Sequence, residues 1–407
     1  MNNQWKKKTI LFLASQTISL FGSSLVQYAI TWYITLKTQS GAMMTIAILC
    51  GFLPTFFLSP FAGVWADRYN RKRLIILSDT LIAGVTFILA ILFLLGYDAL
   101  WLLFVALALR AVGTGIQMPA VGAILPQWVP QDKLTKVNAT NGSIQSLVTL
   151  VSPMLSGALL TTTTIESIFF IDVVTAAAAV AILVLFLRVP DHEKALNRES
   201  TTYFVDLKEG FQYILNHRFV RNLCLFNTFF LIMAAPVAFL TPLQVTRSFG
   251  SDVWRLTAIE VAFSAGMLVG GLIMASWQGF KNKVHTMSLS VLIIGTGTFM
   301  LGIIPVFWLY LVFVSVIGLS MPIFNTPAIV LLQQKVEGNF LGRVFGVLSM
   351  LSTSMMPLGM LIFGPLADSI AIEWLLLGTG ALLILQGVVM FTNKVMIQEG
   401  KPVEQPE

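Results

Sequence analysis

AMMTIAILCGFLPTFFLSPFAGVWADRYNRKRLIILSDTLIAGVTFILAILFLLG, residues 42–96, reads as two long apolar runs separated by one short, strongly cationic turn. Each run is long enough to cross a hydrocarbon layer about 30 Å thick, which takes roughly 20 residues of helix. In lipid every backbone N–H and C=O must be paired internally, so such runs are helices. The rest of the chain repeats the pattern. Further spans are expected near 9–34, 99–126, 136–160 and 166–188, then near 219–246, 255–276, 284–305, 307–332, 342–366 and 371–392. Composition agrees: 56% of the 407 residues are hydrophobic and only 11% are charged, against about 25% charged in soluble domains.

Several function classes drop out at once. Cys50 and Cys224 both lie in apolar stretches, so they suggest neither a disulfide framework nor a thiol metal site. His192, His217 and His285 fall in separate polar connections, and no metal or nucleophile constellation can be read from them. The net charge of +6 is spread over many short loops, which speaks against nucleic acid as a partner. No nucleotide-binding loop is present, and no cofactor is called for. Lys6, Lys7 and Lys8 precede the first apolar run as in a signal peptide. The run is too long and lacks a small-residue cleavage site, so it reads as an uncleaved first span.

Orientation follows from charge. Of the 25 lysines and arginines, all but four fall on the side that holds both termini. Lys37, Arg247 and Arg255 lie opposite, and Arg110 lies inside a span. The positive-inside rule therefore places the termini and the connection 189–218 in the cytoplasm. All nine tryptophans fall at or near expected span ends, where an amphipathic ring prefers to sit.

The 189–218 connection is the only long polar stretch, and it divides the spans into two equal sets. At one common offset Gly63 falls on Gly271, Pro119 on Pro327, Gly157 on Gly364, and LTKVN (134–138) on LGRVF (341–345). This favours an internal duplication, with a substrate site near the midplane and alternating access. In the cationic turn, Asp67 among Arg68, Arg71, Lys72 and Arg73 could form contacts that exist in only one state of a gate. Gly63 would let another helix approach closely. A plain positive-inside anchor accounts for the same charges.

The turn G-x-x-x-D-R-x-x-R-[KR]-R, at 63–73, resembles the loop signature of the major facilitator superfamily, with Asn70 in place of a glycine. Arg110-Ala-Val-Gly113-Thr-Gly115 resembles that family's R-x-x-Q-G-x-G element, and Ser152-Pro153-Met-Leu-Ser156-Gly157 resembles a degraded G-P-x-x-G-G antiporter element. QTISL (16–20), GFLP (51–54), LTK (134–136), EVAFSAGML (260–268) and LGRVF (341–345) resemble the macrolide-efflux (Mef) branch across nearly the whole chain. The resemblance implies an all-α integral membrane protein with twelve transmembrane helices in two pseudo-symmetric six-helix bundles, the major facilitator fold. Its parts would be an N-terminal bundle at 1–188, a connecting segment at 189–218, a C-terminal bundle at 219–393 and a tail at 394–407. It implies a bacterial cytoplasmic-membrane exporter, not an enzyme, that exchanges protons for a macrolide-like small molecule, with room for cooperation with a separate ATPase chain.

The spans hold few ionisable groups: Asp79, Arg110, Asp172 and Glu260. Each costs about 2.5–3.5 kcal/mol at a helix centre on insertion scales, so each needs a partner or a wet cavity. Arg110 shares a helix face with Thr114 and Gln117 and is expected to hold a nearby carboxylate in its charged form, linking substrate arrival to proton release. A structural cation bridging carbonyls is the alternative. Glu260, in the apolar run AIEVAFSAGML, is the first choice for proton carrier; an N-terminal helix cap near water is the competing role. Asp172 and Asp79 are further candidates for proton coupling; both lie near span ends, where a structural role is the competing reading. Gln16, Ser19, Ser23 and Gln27 form a polar stripe in the first span, and Asn138, Asn141, Gln145, Thr149 and Ser152 another in the fifth. With Thr114, Gln117, Asn227 and Asn325 these amides and hydroxyls suit a large, mostly apolar ligand with scattered hydroxyls. Interhelical hydrogen bonding is the simpler account of any one of them. Rival readings are export of a siderophore or other metabolite, a non-transporting membrane sensor, and a lipid-modifying enzyme.

Overall fold

The computed structural model describes residues 4–187 and 203–400. These form fifteen α-helices: α1 (Gln4–Thr38), α2 (Gly41–Arg68), α3 (Arg71–Leu94), α4 (Leu100–Ile124), α5 (Gln131–Thr162), α6 (Ile165–Phe186), α7 (Tyr203–Asn216), α8 (Arg218–Phe239), α9 (Thr241–Ser248), α10 (Val253–Trp277), α11 (Lys283–Leu301), α12 (Phe307–Lys335), α13 (Gly338–Ser369), α14 (Ile372–Thr392) and α15 (Lys394–Glu399). The described residues include no strand. Among the described residues twelve candidate spans are long and apolar enough to cross a membrane, and they coincide with the expected ones to within a few residues at most ends. The seventh, Arg218–Ser248, is two helices. It breaks at Leu240 because Pro236 removes a backbone donor and Pro242 opens the next helix in its first turn.

The chain divides into two compact units, one of Met1–Lys37 with Ile46–Glu199, the other of Thr38–Thr45 with Ser200–Glu407. In the first, α3 packs against both α4 and α6. Gly113 permits the α3–α4 approach, since a Cβ there would lie 2.6 Å from Ile82 Cγ1. Trp32 departs from expectation: it is 1% exposed and fills the interior instead of sitting at the lipid boundary. At a loop, exposed Asp98 accepts from Lys37 at 2.5 Å. That cation holds the Asp98 carboxyl below the usual range, but an exposed pair of this kind contributes little stability.

In the second unit α10 packs on α12 through reciprocal glycines. A Cβ on Gly266 or Gly270 would lie 2.1 or 2.0 Å from the Ser315 or Leu319 carbonyl oxygen, and one on Gly318 would lie 2.2 Å from that of Phe263. Small residues are what let apolar helices associate where no hydrophobic drive separates them from lipid. The amphipathic α7, inside the segment read as a polar connection, docks on α13. Tyr213 stacks on Phe340 at 4.8 Å, Arg343 pairs with Glu209 at 2.9 Å, and Gly210 lies under the Arg343 carbonyl. LGRVF thus anchors the connecting helix. At the other end of α13, Asp368 accepts from Ser40 Oγ (2.7 Å), Gly41 N (2.7 Å), Ala42 N (3.0 Å) and Arg247 Nη2 (3.1 Å). It serves as a remote carboxylate cap on the first turn of α2.

Candidate functional site

The first unit gathers its scarce charges into two neighbouring groups, about two helical turns apart along α3 and α4. Ser19 and Ser23 lie one turn apart on α1, Asp79 and Thr86 share a face of α3, and Arg110, Thr114 and Gln117 share a face of α4. Asp172 comes from α6. Arg110 Nη1 donates to Asp172 Oδ2 at 2.6 Å, and Nη2 donates to the Ser23 carbonyl at 3.1 Å. Ser23 Oγ donates to Asp172 Oδ1 at 3.2 Å. The single Thr86 proton is shared between Asp172 Oδ2 (2.9 Å) and the Ile82 carbonyl (2.9 Å), while the hydroxyl oxygen accepts from Arg110. Arg110 and Asp172 are 6% and 0% exposed. A buried ion pair persists only when its remaining donors and acceptors are also satisfied, and here both oxygens of Asp172 are.

Asp79, 1% exposed, is held differently. Ser19 Oγ and Gln117 Nε2 both donate to its Oδ1, at 2.6 and 2.7 Å, while Oδ2 is buried with no hydrogen-bond partner among the described residues. No cation pairs with Asp79 among those residues.

A chamber of about 250 Å³ opens beside this network, lined by Gln16, Ser19, Ser23, Thr114 and Gln117 together with Asn141 and Gln145. Parts of the amide and hydroxyl stripes of spans 1, 4 and 5 therefore converge, while Asn138, Thr149 and Ser152 of the fifth do not line the chamber. Gln27 is exposed and does not line it. Asn227 is half-buried on α8 and Asn325 exposed on α12, both in the second unit. Glu260 is in that unit too, half-buried and two turns inside α10. The N-cap of α10 is Asp252, so Glu260 is not a capping residue, and it has no hydrogen-bond or ion-pair partner among the described residues.

The cationic turn has a structural function that spacing did not disclose. Arg71 Nε donates to the Ala66 carbonyl (2.9 Å) and Nη1 to that of Ala123 (2.6 Å), while Lys72 Nζ donates to that of Leu187 (2.7 Å). Cations on the C-terminal carbonyls of α2, α4 and α6 complement the negative ends of those helices. Asn70 caps α3 by accepting from Arg73 N at 3.2 Å. Arg68 and Arg73 are exposed, and the Asp67 side chain lies outside the described residues. At Gly63 no described atom lies within 4 Å of where a Cβ would be.

Thr86 and Gly22 were not anticipated. Thr86 could have been found from its spacing to Asp79, which puts both on one α3 face. Gly22 had no such signal. A Cβ there would lie 2.0 Å from Thr175 Oγ1 and 3.1 Å from Asp172 Cα, so it is the contact that brings Ser23 to Asp172. Among the described residues no cluster of His, Cys, Asp and Glu could hold a metal ion.

Comparison with known proteins supplies the context. The sequence profile of the Major Facilitator Superfamily matches residues 12–360. Macrolide efflux protein A of Streptococcus pyogenes is 29% identical over 95% of this chain and 96% of its own length. Multidrug efflux pump Tap of Mycobacterium bovis is 25% identical over 96% of this chain and 94% of its own. Among solved structures, the nucleoside transporter NupG superposes with a TM-score of 0.71 at 14% identity, covering 97% of this chain and 100% of that one.

Proposed function

The chain belongs to the Major Facilitator Superfamily, a family of membrane transporters, and on that premise we propose that it is a secondary active efflux transporter exporting macrolide-type antibiotics in exchange for protons, by alternating access. The observation that carries this reading is the Arg110–Asp172 pair, sealed inside a membrane helix bundle beside a chamber of amides and hydroxyls. The likeness to macrolide efflux proteins along nearly the whole length supports the substrate class.

In this scheme Gln16, Ser23, Thr114 and Gln117 hydrogen-bond the sugar or ring hydroxyls of the cargo. The chamber takes an arm of so large a ligand, with the remainder outside it. Gln117 bonds Asp79 as well, so cargo that recruits the Gln117 amide weakens the hold on that carboxylate. A proton arriving on Asp172 removes the charge that fixes Arg110 and frees the guanidinium to reorient. Glu260 is the proposed titrating group of the second unit, and the Arg68–Arg73 turn with Gly63 and Asp67 the proposed cytoplasmic gate. The chain would lie in the bacterial cytoplasmic membrane with both termini inside. One proton moving through about 150 mV could sustain roughly a 300-fold gradient of a neutral solute.

Expression in a macrolide-sensitive host is expected to lower accumulation of a radiolabelled macrolide, and a protonophore is expected to restore it. Unchanged accumulation would remove macrolides from the scheme and leave a siderophore or other metabolite as cargo. Export that survives the protonophore would point to the separate ATPase chain. Glu260→Gln is expected to keep the protein in the membrane while export loses its response to an imposed pH gradient. A full response would take Glu260 out of the coupling path.

A further inference from the structure

A second concavity lies between α3 and α6, on the far side of Asp79 from the polar chamber. Its volume is about 720 Å³, within the range of small-molecule sites. Its walls are small residues, Ala83 and Gly84 on α3 and Ala177 and Ala181 on α6, and Phe87, Val184 and Leu185 form an exposed apolar rim. A Cβ on Gly84 would meet no described atom within 4 Å, so the space is open there. On a membrane-spanning chain such a surface is solvated by lipid. Lipid by itself gives no reason for a carboxylate in the lining, yet Asp79 lines it, and Asp79 Oδ2 is buried and unpartnered.

Charge decides between occupants. Asp172 has Arg110 as its counter-ion, whereas Asp79 is held by two neutral donors only. A carboxyl group in an apolar setting lacking a cation is stabilised most by a ligand that brings one. We propose that the α3–α6 groove is a binding site for hydrophobic amines dissolved in the bilayer, with the ammonium group on Asp79 and the apolar body along Ala83, Gly84 and Ala177. Whether the shared proton begins on the acid or the amine, the pair formed is the same. Because Asp79 Oδ1 is bonded to Gln117 and Ser19, which line the polar chamber, an amine taken from the lipid would be felt at the cargo site. The inference rests on the exporter reading only for the fate of the amine; its binding is separable.

The test therefore reads binding. Val184→Cys on the rim, in a Cys50→Ser background, carries a bimane label, and the protein is placed in phosphatidylcholine nanodiscs. Titration with N,N-dimethyldodecylamine is expected to give a saturable emission shift with about tenfold lower half-saturation than dodecanol. Gly84→Trp, which fills open space, is expected to abolish both responses. Asp79→Asn is expected to bring amine and alcohol within about twofold of each other. Equal responses to amine and alcohol in the protein with Asp79 intact would show a groove for acyl chains alone and overturn the proposal. So would an amine response that survives Gly84→Trp. Neither outcome depends on how well the Asp79 variant folds, and neither bears on whether macrolides are exported.

Discussion

Arg110→Ala is expected to abolish efflux and also to lower the thermal midpoint of the purified protein. Removing the guanidinium leaves Asp172, 0% exposed, as a buried charge with only Ser23 and Thr86 as donors. Breaking a buried pair in this way costs about 3–5 kcal/mol. Arg110→Lys is expected to recover part of the stability and none of the transport, because one ammonium cannot reach Asp172, Thr86 and the Ser23 carbonyl in the geometry of a planar fork. The pair Arg110→Gln with Asp172→Asn separates the two roles. With no charge stranded, stability should return most of the way while efflux stays lost, a coupling a double-mutant cycle measures directly. Efflux by Arg110→Ala at the unmutated rate would refute a transport role for the pair. A midpoint unchanged in Arg110→Ala would mean that water or a rearranged donor reaches Asp172.

Gly22→Leu should cost transport nearly as completely by a different route. The α1–α6 approach at this position leaves no room for a side chain: the nearest atoms to a Cβ are Thr175 Oγ1 at 2.0 Å and the Asp172 Cα and Oδ1 at 3.1 Å. Forcing extra methylenes into a packed interface costs about 1–3 kcal/mol. Here the relief available is to part α1 from α6, which withdraws Ser23 from Asp172. Gly22→Ala should be partly impaired, because Thr175 Oγ1 must rotate away from its bond to the Asp172 carbonyl. Adding Thr175→Ala removes the colliding atom and should restore much of the efflux in that background. Drug accumulation alongside surface expression makes the comparison. Full activity in Gly22→Leu would mean the α1–α6 contact does not hold the network together.

Hydropathy and charge are local properties, so the spans could be read from the chain to within a few residues, including the first, which begins at Trp5, and the twelfth, Ile372–Thr392. The same holds for features confined to one helix. Arg110, Thr114 and Gln117 were legible as a polar face because helical spacing aligns them, and all three bear on the site. Span-end position misled in the case of Trp32, whose ring is apolar enough to be buried when a helix face turns inward. In the cationic turn, spacing left undisclosed a second use of the charges: Arg71 and Lys72 bond three backbone carbonyls at helix C-termini.

By itself the sequence determined that this chain crosses a membrane many times, that most of its cations fall in the connections between spans, and which few charges must be sheltered. Water and lipid impose those outcomes on any chain with this order of residues. Tertiary structure alone decided the partners. Arg110 meets a carboxylate 62 residues away, Asp79 bonds two residues that line a polar chamber and itself lines an apolar groove, and Asp368 caps a helix whose first turn is over 300 residues earlier in the chain. Between helices in lipid the choice rests on where glycines allow contact and where buried donors find acceptors, and neither quantity is a property of any one segment.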